Sequence, residues 1–436
     1  MLLDLPDALS ATRSSRPPGR WPRVPARIVT PEKRCGVIAN TTGVLATDVR
    51  MFHDASASLR ATQSAGSYDQ WQPYVEIFGS VVVLARVSEA EASDSGPTEG
   101  PGVRVHPVAN YRGLSELVQR LPRIIAGVWN VPLVGSLPIV KLPEPLSVLL
   151  ALRCVVTRVP YVAIVVADVE TFVVTLIPAR SARLSRLVGR LLRRTTAWLV
   201  RRAAGVVFVT EEALQRRYPA DPAAPVLTRS SVMLEPSSIA SPRPFPDGAR
   251  RLIAVGSQQS RNKGHDTAIE ALRLLSEQDR RYQLVLVGDG KVQPELRSQA
   301  ERAGLADQVR FTGQLSTTAE VRTELDRSDM FLMPSRSEGL PRAIIEAMAA
   351  GLPVVGSAVG GIPEMLSADC LVSPDDAPAL AARIEGIFSR PDVWTDLSRK
   401  NVDRAHRIAE STTTERLEGF LAETVRPRSA RGLSSN

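Results

Sequence analysis

Residues 335–355, SRSEGLPRAIIEAMAAGLPVV, constrain the fold of this chain more than any other stretch. The preceding Met330–Met333 is an apolar run of strand length, suited to burial on both faces. Pro334 and Ser335 end that strand, and a loop carries Glu338 and Gly339. Pro341 suits the first turn of a helix, where its missing N–H is no loss. The helix PRAIIEAMAA stops at Gly351, a residue type favoured just past a helix end, and Leu352–Gly356 starts another strand. The spacing therefore predicts a strand–loop–helix–strand unit with one carboxylate in the loop, Glu338, and a second in the helix, Glu346.

Exposed amides at a helix N-terminus attract anions, so a diphosphate can sit near Gly339 and Leu340. A carboxylate accepts paired hydrogen bonds from vicinal hydroxyls such as those of a ribose or hexose. Two glutamates eight positions apart are, taken alone, usually solvated surface residues. Here their context is specific. SEGLPRAIIEAMAAGLPVV resembles the E-x7-E signature of retaining glycosyltransferases of the GT-B fold, family 4 of the glycosyltransferases. Blocks at Val255–Gly264, Leu284–Gly290 and Phe311–Gln314 match that family in order and spacing. The resemblance covers residues 250–370 and is much weaker before residue 200.

The resemblance implies roles residue by residue. Glu346 would hold the ribose of a nucleotide sugar and Glu338 the transferred sugar, with the amides of Gly339 and Leu340 on the diphosphate. Lys263 matches the family's diphosphate-binding lysine, where a cation offsets charge developing on the leaving nucleotide. It lies in the loop that starts at Gly256. The family usually has an arginine six residues before that lysine, and this chain has Ser257; Arg261, in the same loop, is the candidate substitute. QLVLVGDGK ends in the turn around Gly288, and FTGQL, with Gly313, resembles the strand end whose backbone reads the nucleobase. Asp168 ends the strand YVAIVVADV, where ligands of open parallel sheets gather. Relatives carry a His–Asp or Gly–Asp pair there, and this chain has Ala167–Asp168, so only the aspartate is carried over. A strand-end aspartate held in a salt bridge is the competing reading.

Length and composition agree with an α/β enzyme. A chain of 436 residues, 44% hydrophobic and 23% charged, suits two or three domains, each able to bury a core. Cys35, Cys154 and Cys370 are too far apart to suggest a disulfide framework or a zinc site, and four dispersed histidines add no ligand spacing. No metal and no cofactor are expected beyond the co-substrate, and the localisation expected is cytoplasmic. The formal charge of +8 is unevenly placed. Residues 1–34, 180–202 and 426–436 carry +4, +8 and +3, leaving −7 for the rest. With no recognition module beside them, these basic segments do not argue for nucleic acid. MLLDLPDALS does not read as a signal peptide, and charges and prolines interrupt the most apolar region, Val131–Ala179.

In chain order, residues 1–33 read as a disordered leader and Cys35–Ala39 as the first buried strand, followed by a polar loop at Asn40–Gly43. GSVVVLARV and GVRVHPVA read as strands around an acidic loop at 88–102, then come a helix over YRGLSELVQRLPRIIAGV and another near Pro145–Val155. GVVFV is a strand, and Thr210 caps a helix with Glu211 and Glu212 in its first turn. Pro236–Gly248 is the linker, and SAVGGIPEML places a helix near Pro363. In the segment Arg183–Arg202, apolar residues recur at helical spacing among arginines with no acid. Such a helix either packs on the sheet with solvated arginines or docks on an anionic membrane surface.

The expected fold is α/β, GT-B: two Rossmann-like, doubly wound domains facing a cleft. The bounds expected are residues 34–240 for an acceptor domain and 241–424 for a nucleotide-sugar donor domain, with the last helices returning to the first domain and 425–436 as a tail. The expected function is retaining, metal-independent transfer of a hexosyl group from a UDP- or GDP-linked sugar to an acceptor hydroxyl, in bacterial polysaccharide, glycolipid or natural-product biosynthesis. The alternatives are a phosphorylase or epimerase on the same fold, or a nucleotide-sugar-binding partner subunit without catalysis.

Overall fold

The computed structural model describes residues 38, 41–54, 58–61, 66–88, 97–169, 182–230, 232–248, 250–279, 281–315 and 317–426. The expected leader, most of the strand Cys35–Ala39, the middle of the acidic loop, and residues 427–436 lie outside the described residues.

The first sheet contains β1 (Thr42–His53), β2 (Leu59–Ala61), β3 (Val81–Ser88), β4 (Val103–Ala109), β5 (Ser136–Leu142), β6 (Val162–Val165), β7 (Gly205–Phe208) and β8 (Val226–Thr228). Its order is β4–β3–β1–β5–β6–β7–β8, parallel throughout, with β2 antiparallel on β1. Strand order reverses between β1 and β5, as in a doubly wound sheet. The helices are α1 (Gln72–Phe78), α2 (Gly113–Trp129), α3 (Pro145–Thr157), α4 (Ala182–Arg202) and α5 (Ala213–Arg217). Two readings need correction. Thr42 and Gly43 begin β1 instead of ending a loop, because Gly43 marks a close approach: a Cβ there would meet Phe78 of α1 at 2.8 Å. The helix after β7 also starts later, at Ala213, so Glu211 and Glu212 precede it.

The second sheet contains β9 (Arg250–Val255), β10 (Tyr282–Val287), β11 (Val309–Gly313), β12 (Met330–Met333), β13 (Val354–Ser357) and β14 (Leu371–Val372). Their order, β11–β10–β9–β12–β13–β14, reverses between β9 and β12. Helices α6 (His265–Gln278), α7 (Gln293–Arg302), α8 (Thr318–Asp326), α9 (Arg342–Ala349), α10 (Ile362–Met365), α11 (Ala377–Phe388) and α12 (Pro391–Ser411) belong to this half. The last helix, α13 (Thr414–Val425), packs on the first half, with Leu417, Phe420 and Leu421 in the core that holds Leu45 and Val83. Its fit is close: a Cβ on Gly205 of β7 would lie 2.3 Å from Thr424 Oγ1. Each sheet has apolar clusters on both faces, the pattern expected of strands that read as continuous apolar runs.

Candidate functional site

The second sheet's reversal point is assembled by two loops that touch. Gly264 follows β9 with φ +67°, and a Cβ there would lie 1.9 Å from Pro334 O at the end of β12. Only glycine permits this approach. Asn262 Nδ2 donates to Ser337 O at 3.0 Å, and Arg336 N donates to Asn262 O at 2.8 Å. Stitched this way, the loops bring Lys263 Nζ to 2.7 Å from Glu338 Oε1, with side-chain exposures of 27% and 7%. The ion pair is largely withdrawn from water yet keeps the lysine at the cleft surface, so the cation is both fixed and reachable.

The expected glycines lie beside this pair. A Cβ on Gly256 would meet Lys263 Cγ at 2.9 Å, so the lysine stem runs over bare backbone. Gly288, at φ +132°, leaves 2.0 Å between a would-be Cβ and Gly256 O, and its N–H donates to Gly313 O at 2.9 Å. Gly256, Gly288 and Gly313 thus close the ends of β9, β10 and β11 side by side. Among the described residues Ser257 Oγ accepts only a local bond, from Gln259 N at 3.3 Å. Arg261 departs from expectation: its guanidinium reaches Glu295 at 2.8 Å and Asp266 at 3.4 Å, and it is more than half exposed. Exposed Glu295 and buried Asp266 hold it, so it does not take the place of the arginine missing at Ser257.

Beyond the loop, Leu340 packs against cores of both halves, and no side chain caps the N-terminus of α9. One turn into α9, burial raises the pKa of Glu346, while Arg342 opposes the shift. Among the described residues no hydrogen bond or ion pair reaches the Glu346 carboxylate. His265, at the start of α6, is held neutral by burial and by Lys263, its pKa lowered to about 4.

The two halves meet at this loop. A Cβ on Gly339 would lie 2.6 Å from Val166 O and 3.3 Å from Ala167 Cα, so the Glu338 loop rests on the connection that carries Asp168. Both Asp168 oxygens are engaged: Arg217 Nη1 lies 2.8 Å from Oδ2, and Tyr218 OH donates to Oδ1. Asp168 is therefore beside the candidate site but held as an ion pair, an arrangement ill-suited to a nucleophile.

Sequence reasoning missed the acids and cations at the first sheet's reversal point. β1 leaves β5 after Ala46, and its register with β3 shifts between Ala46 and Arg50. That bulge presents Asp48, whose N–H donates to Glu144 Oε2 at 2.8 Å and whose Oδ1 accepts from Tyr111 OH at 2.9 Å. Burial and the neighbouring Asp48 push Glu144 up to about 7, and burial lowers Lys141. The one available signal was a lone acid in an otherwise strand-like run, TGVLATDVRMFH. Among the described residues no group of three His, Cys, Asp or Glu is arranged to hold a metal ion.

The basic helix α4 has two apolar stripes. Leu199 and Val200 are buried against the first core, and Val188 and Leu192 pack on it. Leu187, Leu191 and Trp198 are 64%, 64% and 40% exposed on the other side. At about 100° per residue these three fall on one narrow line. Arg190, Arg193, Arg194, Arg201 and Arg202 flank them with no carboxylate partner among the described residues, and Arg202 stacks on Trp198 at 4.5 Å. The side chains of Arg183 and Arg186 lie outside the described ones. No described helix is long and apolar enough to cross a membrane.

These features can be set against known proteins. The HepE protein of Anabaena, solved in complex with UDP, superposes with a TM-score of 0.60 at 18% identity, covering 88% of this chain and 99% of that one. Sucrose-phosphate synthase of Thermosynechococcus elongatus gives a TM-score of 0.63 at 18% identity, covering 88% and 98%. The fold is GT-B. The family model described as Glycosyl transferases group 1 matches residues 249–390, which contain Lys263, Glu338 and Glu346. The amylovoran biosynthesis glycosyltransferase AmsK of Erwinia amylovora is 36% identical over 141 residues, 30% of this chain and 34% of that protein. Other curated relatives of comparable similarity are likewise matched over less than half of their length. The family-model match thus lies in the second half, while the likeness in fold extends over most of the chain.

Proposed function

We propose that the chain is a retaining glycosyltransferase that moves a hexosyl group from a UDP- or GDP-linked sugar to an acceptor hydroxyl. The observation that carries this reading is the Lys263–Glu338 pair at the second sheet's reversal point, facing the Asp168 connection of the first half. Glu346 accepts bonds from the ribose, Glu338 from the transferred sugar, and Lys263 with the amides near Gly339 and Leu340 holds the diphosphate. The acceptor oxygen attacks the anomeric carbon on the face from which the nucleoside diphosphate departs. The bond from the anomeric carbon to phosphate oxygen breaks as the new C–O bond forms, and the hydroxyl proton passes to the leaving phosphate. Lys263 and backbone amides offset the developing charge without a metal ion. The engagement of both Asp168 oxygens favours this same-face substitution over a covalent glycosyl–enzyme intermediate.

The test is thermal stability with UDP, GDP, ADP and their sugars, for the wild type and Glu346→Ala. Ligand at 100 times its dissociation constant adds about 2.7 kcal/mol. A shift with one base, lost in the variant, supports the donor site and names the nucleotide. No shift with any of them favours a second reading, a partner subunit without catalysis, which Ser257 and the outward-held Arg261 recommend. A phosphorylase would require free phosphate, and an epimerase would need no acceptor.

The same proposal places the protein in the cytoplasm, resting on an anionic bilayer through α4. Its outward Leu187, Leu191 and Trp198 would enter the interface while the unpaired arginines meet lipid phosphates. Cosedimentation with phosphatidylglycerol vesicles but not phosphatidylcholine vesicles, lost when Arg190, Arg193 and Arg194 are neutralised, is expected. Equal binding to both vesicles would leave α4 as scaffold.

A further inference from the structure

Glu364 lies in α10, directly after the Gly360–Gly361 pair. Its carboxylate crosses to the other half of the molecule. Oε2 accepts from Glu211 N at 2.5 Å, and Oε1 accepts from Glu212 N at 3.2 Å and from Ala213 N. Three consecutive backbone N–H groups therefore converge on one carboxylate. A carboxylate makes stronger bonds to such groups than a neutral acceptor would.

Both ends of this contact lead to the candidate site. On the Glu364 side, Gly361 N donates to Gly339 O at 2.7 Å. Gly360, at φ +56°, leaves 2.0 Å between a would-be Cβ and Glu338 O. The strand-to-helix connection ahead of Glu364 is thus pressed against the Glu338 loop. On the other side, the N–H groups at 211–213 lead into α5, whose far end supplies Arg217 and the following Tyr218, the two groups that hold Asp168. Arg404 of α12 adds a second link across the same seam, to Glu211 at 3.3 Å. The path closes where Gly339 rests on Val166 and Ala167, next to Asp168.

We infer that Glu364 is a positioning residue for the reaction: by gripping the backbone at 211–213 it sets Asp168 and its connection against the Glu338–Gly339 loop. The inference rests on the transferase reading for its effect on turnover, but not for its effect on structure. Glu364 touches no reacting atom. It acts through α5, so its removal leaves the Lys263–Glu338 ion pair in place and loosens the acceptor side against it.

The experiment uses the full chain as wild type, Glu364→Gln and Glu364→Asp. Glutamine keeps the size but turns an N–H₂ group toward N–H donors, and aspartate keeps the charge with a shorter reach. Backbone hydrogen exchange over 211–217 should quicken by about tenfold or more in Glu364→Gln while the buried strand Met330–Met333 stays protected. With the nucleotide sugar identified by the thermal panel, kcat should fall by about tenfold or more while the donor KM stays within about twofold, and Glu364→Asp should recover part of the loss. Unchanged exchange over 211–217 in Glu364→Gln, or unchanged kcat, overturns the inference. If Glu364→Gln loses protection throughout the molecule, Glu364→Asp is held to the same outcomes. If the wild type turns over no nucleotide sugar, the transferase reading fails, and the exchange arm still decides whether Glu364 grips the other half.

Discussion

At the reversal point of the second sheet an acid meets a cation, Glu338 with Lys263 at 2.7 Å; at that of the first, two acids meet. Asp48 lies beside Glu144, with Tyr111 donating to it and Arg86 Nε 3.9 Å away. The topology is the same in both sheets, and so is the opportunity: strand ends part, and loops there reach into the cleft. Charge pairing separates them. Glu338 and Lys263 form an ion pair in which each group has an opposite charge at hydrogen-bond distance. The acid pair is buried, so its members resist ionising together and retain a proton near neutrality.

The largest effect expected is from breaking the first of these arrangements. Glu338→Gln leaves Lys263 without its counter-ion and, in the proposed reaction, the transferred sugar without a charged acceptor. Initial rates with the preferred donor should fall about 100- to 1,000-fold, in the range seen when a preorganised electrostatic group is removed. A rate within tenfold of wild type would move the charge chemistry away from this loop. Glu144→Gln sharpens the contrast from the other side. The folded pKa of Glu144, about 7, lies above its ordinary 4.5, so folding favours the protonated form. Its stabilising contribution is present in full below about pH 4.5 and is lost as pH rises through about 7. The melting temperature of the wild type should therefore decline between pH 5 and 8 relative to that of Glu144→Gln, by about 2–5 °C. Parallel curves would mean that the acid pair holds no proton. The smallest effect belongs to Arg261→Ala, whose guanidinium is more than half exposed and whose shorter contact is to solvent-exposed Glu295. A change within about 0.5 kcal/mol in stability and about twofold in donor KM is expected. A tenfold rise in KM would show that Arg261 leaves Asp266 and Glu295 to grip the diphosphate.

Much of the second half was legible in the residue order. The glycines that matter there stand at loop ends, where close backbone approach excludes every side chain: Gly264, just before α6, against Pro334, and Gly288, just after β10, against Gly256. Such constraints act through local backbone geometry and leave a mark at one position. Glu338, Lys263 and Glu346 come from segments that a strand–loop–helix pattern places beyond the carboxyl ends of the central strands β9 and β12. Arg261 shows the limit of this reasoning. It lies two residues before Lys263, yet its direction depends on Asp266 and on Glu295 from a separate helix, and spacing does not encode that. Helix α4 shows another: periodicity revealed apolar residues at helical intervals, but not which ones face the core. Leu199 went inward and Leu191 outward because the neighbouring α3 and β6 cover one side only.

The sequence by itself determined the α/β class, the strand–helix alternation of the second half, and the three charged residues there that carry the proposed chemistry, while β5 (Ser136–Leu142), at the first sheet's reversal point, went unread. It did so because strand period, helix caps and loop glycines are local properties. Only the tertiary structure decided that Asp48 and Glu144 share a buried corner, that Asp168 is bound by Arg217 and Tyr218, and that Glu364 reaches 211–213 in the other half. Those contacts join residues about 50 to 150 positions apart. Their energies depend on burial and on which partners arrive, and no single segment of the chain carries that information.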